Sequence, residues 1–91
     1  MTYEWDPAKA AANVRKHRVS FEEAASVFLD PVALTFPDPD HSKDEDRAIT
    51  IGRSARQRVL FVEHTERDRI RIISARVATQ REQRQYEEGI E

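Results

Sequence analysis

With 91 residues the chain has room for one small domain, residues 1–91, and a modest core, because short chains bury a smaller share of their surface. It is 35% charged and 38% hydrophobic with no cysteine, which excludes disulfides, thiolate metal sites and cysteine nucleophiles. No apolar run approaches the ~18 residues of a membrane span, and the acidic start MTYEWDPAK lacks a signal core, so a cytoplasmic protein is expected.

The formal net charge of −2 is unevenly spread. Residues 1–52 hold 6 Lys/Arg against 10 Asp/Glu, residues 53–85 hold 9 Arg against 4 Asp/Glu, and the tail from Tyr86 adds three glutamates. Every basic residue of the second half is arginine, which grips phosphate bidentately and stays ionised in a cleft. A mixed-charge solvated face is the plain alternative. The overall balance argues against loose nucleic-acid binding, which needs a net positive field.

Tyr3–Trp5 reads as a short extended start. Asp6 offers an N-cap and Pro7 suits the first helical position, so a helix is expected from Ala8 to Lys16, stopping near His17–Arg18 without a terminal glycine. Ser20 and Glu23 have capping-box spacing, and Phe21, Ala24, Ala25 and Phe28 repeat as one apolar stripe, giving a second helix closed by Asp30–Pro31. Val32–Phe36 reads as a strand, and Pro37–Asp46, with two prolines and five carboxylates, as an acidic loop. Asp38, Asp40, His41 and Asp44 in that loop match no EF-hand spacing, so no metal is expected.

Arg47–Ser54 alternates into a strand, and Arg53–Arg58 is a basic turn. Val59–Val62 and Ile70–Ile73 flank a polar turn around Glu66–Asp68, which is a hairpin signal. Thr79 and Glu82 repeat the capping-box spacing, so a third helix should run from Gln80 to Glu88 and end at Gly89. Its only large apolar residue is Tyr86, so it should lean on the sheet edge or on another chain. The expected fold is α+β, with two N-terminal helices on a mainly antiparallel sheet of about four strands and a C-terminal helix.

Chemistry centres on the hairpin. Strict alternation puts Arg69, Arg71 and Ile73 on one face, and Ile70, Ile72, Ser74 and Arg76 on the other. His64 shares the parity of Leu60 and Val62. Arg69 and Arg71 read either as a phosphate-binding surface or as cross-strand partners of Glu63 and Glu66. Lys16 and His17 suit a helix C-terminus through the dipole alone, although a basic helix end can also face a phosphate. With only two glycines, no P-loop or dinucleotide fingerprint is possible, and Ser74 has no nucleophile-elbow context. Metal-free cleavage of RNA remains compatible, since the 2′-OH attacks its own phosphate and the protein supplies a base, an acid and cations.

The strings YEWDPAKAAANVRKH, VSFEEAASVFLDP, ITIGRS, RIRIISARVAT and REQRQYE, spread across almost the whole chain, resemble the BrnT family of toxins. The resemblance implies a RelE-like fold and ribonuclease activity that arrests translation. It also implies neutralisation by a BrnA-like antitoxin, whose DNA-binding region lets the pair repress its own operon. The family's basic and polar motif positions fall on Lys16, His17, Arg53, Arg71, Ser74 and Arg76, with no individual role attached. Two departures stand out: Arg18 where the family commonly has glycine, and His64 where tyrosine or another residue is commoner.

The leading expectation is therefore a cofactor-free endoribonuclease. Arg71 and Arg76 would hold the scissile phosphate, His64 or His17 would carry the proton, Ser74 would orient, and Lys16, His17, Arg53 and Arg69 would bind RNA. The alternative is a non-catalytic module that docks a DNA-binding partner as corepressor.

Overall fold

A computed structural model describes residues 2–41, 43 and 46–90 of the chain, leaving Asp44 of the acidic loop outside the described residues. Asp6 caps the first helix as its sequence suggests, its carboxylate accepting the Ala8 and Lys9 N–H groups, and α1 runs Pro7–His17. Without a glycine at its end, α1 terminates by forcing Arg18 into the left-handed region, φ 59° and ψ 32°. Ser20 accepts the Glu23 N–H at 3.0 Å and starts α2, Phe21–Ser26, which tightens into a 3-10 turn over Val27–Leu29. The capping box there is only half made. Glu23 turns its carboxylate inward to Ser54 and Arg58 instead.

Strands β2 (Leu34–Pro37), β3 (Arg47–Arg53), β4 (Val59–Glu66) and β5 (Ile70–Val77) form an antiparallel meander. Tyr3–Glu4 adds a fifth strand, β1, parallel to β5, and the order across the sheet is β1-β5-β4-β3-β2. The sheet is therefore mixed and five-stranded rather than four-stranded. Beyond the end of β1 the side chain of Asn13 replaces the missing neighbour. Its amide donates to the Ala75 carbonyl at 2.8 Å and to Val19 O at 2.9 Å, and accepts the Ala75 N–H at 3.2 Å. An edge that would otherwise leave buried backbone groups unpaired is thus closed by one residue of α1.

Each sheet face has its own core. Val19, Phe21, Ala24 and Val27 pack on Leu60, Val62, Ile70, Ile72 and Ala75 beneath α1 and α2. On the opposite face α3, Gln80–Ile90, lays Tyr86 against Ile49, Ile51 and Val59. The Tyr86 hydroxyl donates to Asp30 at 2.6 Å, so this polar helix leans on its own sheet through one anchored aromatic. Thr79 and Glu82 form the full capping box at its start, but α3 runs through Gly89, where an added Cβ would meet Leu34 Cδ2 at 2.9 Å. Among the described residues no helix is long and apolar enough to cross a membrane.

The consequential feature is an irregularity in the hairpin. Glu63 pairs with Ser74 but His64 pairs with Ile72, so Ile73 is an extra residue on β5. A bulge of one residue reverses the faces on either side of it. Ile70, Ile72 and Ala75 therefore all point to the α1–α2 core, and Ser74 and Arg76 turn to the other face with Arg71. This corrects the strict alternation, which grouped Ser74 and Arg76 with Ile70 and Ile72.

Candidate active site

The face bearing α3 is covered unequally. Tyr86 and Ala78 cover the end built by Ile51 and Val59, while the other end carries polar side chains from three strands. Ser74 donates to Glu63 Oε1 at 2.9 Å across the hairpin, and Arg47 Nη2 approaches Glu63 Oε2 at 3.6 Å from β3. Arg47 Nε is buried and has no hydrogen-bond partner among the described residues.

Next along β5, Arg76 stacks over the Phe61 ring with its guanidinium carbon 4.0 Å from the ring centroid. Its two terminal nitrogens meet both Glu82 oxygens, Nη1–Oε1 at 2.7 Å and Nη2–Oε2 at 3.0 Å. The Glu82 hydrogen bonds raise the Arg76 pKa further. Burial pushes the Glu82 carboxyl up, but the bonds from Arg76 and Thr79 outweigh it and hold the group below its ordinary range. Arg76 is thus a fixed, permanently charged cation, with its side chain 36% exposed. A cation held this way pays no ordering cost when an anion arrives.

Arg71 shares this face but lies toward the hairpin turn, where it and Arg69 approach Glu4 of β1 at 3.8 and 3.6 Å. Their acidic neighbour is therefore Glu4, not Glu63 or Glu66. Exposed pairs of this kind contribute little to stability, so either arginine can exchange Glu4 for a phosphate at small cost. Together with Thr65, Arg67 and Asp68 they line a shallow cleft.

His64 belongs to the other face. It is 0% exposed, its ring packs edge-on to Phe28 at 4.9 Å, and Nε2 is 2.8 Å from Thr50 Oγ1, which in turn is 2.7 Å from Thr35 Oγ1. Burial lowers its pKa, the nearby Glu66 opposing this only in part. A proton carrier must reach solvent or substrate, and the sheet itself separates this imidazole from Ser74 and Arg76. His64 is a core residue, and its expected acid–base role is corrected on that ground.

The remaining sequence candidates are dispersed. Lys16 and His17 end α1 on the helical side of the sheet. Arg53 sits at the far end of β3, where its guanidinium lies 5.9 Å from the Tyr86 ring centroid and donates to Gln57 O. Ser54 and Arg58 of the basic turn both bond Glu23, whose pKa Arg58 lowers, so this part of the turn is a structural clamp.

Sequence reading passed over Glu63, Arg47 and the pair Asp38–His41 as parts of this face. His41 Nδ1 is 2.9 Å from Asp38 Oδ2, and candidate donor atoms of Asp38, His41 and Glu63 lie within 4.8 Å of one another. Glu63 carried a signal: it interrupts VLFVEHT at the parity of Phe61, on the face away from Leu60 and Val62. The approach of the loop to it carried none.

The family model for the ribonuclease toxin BrnT of type II toxin–antitoxin systems matches residues 5–82. The chain belongs to the BrnT family. Among solved structures, the 1.1 Å crystal structure of the Brucella abortus ribonuclease toxin BrnT is similar in fold, with a TM-score of 0.67 and 24% identity. The match covers 88% of this chain and 100% of that one. No curated protein matches the chain. Two residues inside the matched span have architectural roles here: Asn13 closes the β5 edge, and Ser54 bonds Glu23.

Proposed function

We propose that this BrnT-family chain is a cytoplasmic, metal-independent endoribonuclease that arrests translation. A BrnA-like antitoxin neutralises it by covering the arginine-bearing sheet face, and the complex represses its own operon through the antitoxin's DNA-binding region. Family membership supplies the activity class and the antitoxin partner. The observation that supports this site is the bulge at Ile73, because it gathers Arg71, Ser74 and Arg76 on one face with Arg47 and Glu63.

On this reading Arg76 and Arg71 receive the scissile phosphate, and the charge that develops on its oxygens is stabilised by guanidinium groups already in position. Ser74 is the orienting group: its hydroxyl donates to Glu63 Oε1 and fixes that carboxylate beside the phosphate-binding arginines. Arg69 extends the electrostatic track toward the hairpin turn. Lys16, His17 and Arg53 lie away from this centre and bind flanking stretches of the RNA.

One observation favours a second reading. Both terminal nitrogens of Arg76 already face Glu82, so the same surface suits a non-catalytic module that docks an acidic partner segment and acts as corepressor. Partner-free protein incubated with RNA in EDTA separates the two: cleavage supports the nuclease, and intact RNA with tight partner binding supports the module.

A further inference from the structure

The acidic loop leaves β2 in a defined way. Asp38 N–H donates to Arg47 O at 3.1 Å, which carries the β2–β3 pairing one step past Pro37. One 3-10 turn, Pro39–His41, follows, with the His41 N–H donating to Asp38 O at 3.2 Å and the Asp40 N–H to Asp38 Oδ1 at 3.0 Å. The turn returns the His41 ring onto the carboxylate that started it, Nδ1 to Oδ2 at 2.9 Å. The Asp38 side chain is 2% exposed and that of His41 is 43% exposed. A solvated acidic loop has no need to bury one carboxylate, and burying it costs free energy unless hydrogen bonds compensate.

The arrangement has a chemical consequence. A buried carboxylate accepting Nδ1–H fixes the imidazole tautomer and leaves Nε2 as a lone-pair acceptor. Among the described residues no hydrogen-bond partner occupies that nitrogen. Asp38 keeps the parity of Phe36, so the pair is delivered to the sheet face that carries Glu63, Ser74 and Arg76. The groups around His41 are Asp38 and Asp40 on its own turn, Glu63 on β4, and Arg47 on β3 beside Glu63. A divalent cation suits this place poorly, because Glu63 already engages Ser74 and lies beside the Arg47 guanidinium.

We propose that His41, positioned by Asp38, is the catalytic base of RNA cleavage; this rests on the ribonuclease reading of the same face. Nε2 takes the proton of the 2′-hydroxyl as the 2′-oxygen bonds to phosphorus. The bond from phosphorus to the 5′-oxygen breaks, the leaving oxygen takes a proton from water, and the imidazolium returns its proton to solvent. The products are a 2′,3′-cyclic phosphate end and a 5′-hydroxyl end. Asp38 is a positioning residue.

The test is single-turnover cleavage of a fluorescent RNA oligonucleotide in EDTA by wild type, His41→Gln, His41→Ala and Arg76→Ala. Affinity is read on the matching 2′-O-methyl oligonucleotide. His41→Gln should slow cleavage by about 100-fold or more with RNA affinity within about twofold, the scale of general-base loss. Added imidazole should restore part of the His41→Ala rate, and Asp38→Asn should lower the single-turnover rate while RNA affinity stays within about twofold. Cleavage by His41→Gln within about threefold of wild type, while Arg76→Ala is inactive, would overturn the role of His41 and leave the ribonuclease reading standing. Cleavage that requires an added metal would overturn it too. A folded wild type that leaves RNA intact would overturn both readings together.

Discussion

Arg76 and Glu82 meet across the corner between β5 and α3 as a two-pronged pair, and the Glu82 oxygen that faces Arg76 Nη1 also accepts the Thr79 N–H at 2.8 Å. One carboxylate thus starts the last helix and fixes the arginine that the proposed chemistry depends on. Glu82→Ala removes both functions. We expect a loss of about 1–2 kcal/mol in urea unfolding, the scale of a helix cap plus a half-exposed pair. A sharper loss should appear in RNA cleavage, because Arg76 then samples many rotamers. An unchanged cleavage rate in the destabilised variant would show that Arg76 needs no holding.

His64 makes stability depend on pH in a calculable direction. Burial lowers its folded-state pKa below the ordinary 6.5, so between the two values the unfolded chain binds the proton and the folded chain does not. The contribution of His64 is complete above about pH 6.5 and is lost as pH falls from there through the folded-state value. Urea midpoints taken from pH 8 to pH 5 should decline over the lower part of that range. In His64→Gln, whose amide can still bond Thr50, that component of the slope should vanish. Identical slopes in the two proteins would remove His64 as the cause.

Arg18 holds a left-handed backbone that costs a side-chain-bearing residue about 1–2 kcal/mol and costs glycine almost nothing. Its carbonyl, not its side chain, accepts the Arg58 bond. Arg18→Gly should therefore stabilise the protein, by about 0.5–1 kcal/mol once the added freedom of the unfolded chain is subtracted. The measurement is the urea midpoint at constant slope. A destabilised Arg18→Gly would mean that the exposed side chain makes a contribution larger than the backbone strain.

What could be read from the sequence was what short-range chemistry decides. Asp6–Pro7, Ser20 and Thr79–Glu82 mark three helix starts because a cap and its N–H partner lie within three residues. The alternation in Arg47–Ser54 and the apolar run Val59–Val62 mark strands for the same local reason. The parts that stayed hidden depend on partners far along the chain. Tyr3–Glu4 becomes a strand only by pairing with Ile70–Arg71, and the bulge at Ile73 exists only in the register with β4. That single inserted residue decided which face received Ser74 and Arg76. The burial of His64 stayed hidden because Phe28, which packs on its ring, comes from α2's extension 36 positions earlier. His41 and Glu63 are 22 positions apart, and no spacing rule joins them.

The β3–β4–β5 face bearing Arg76 is proposed to cleave RNA without a metal. The most direct measurement is the rate at which purified, partner-free protein cuts an RNA oligonucleotide in EDTA, for wild type and for Arg76→Ala shown by circular dichroism to be folded. The expected result is cleavage by wild type and a loss of about 100-fold or more in the variant, as for removal of a preorganised charge-stabilising donor. Equal rates in the two proteins, or intact RNA with both, would contradict it.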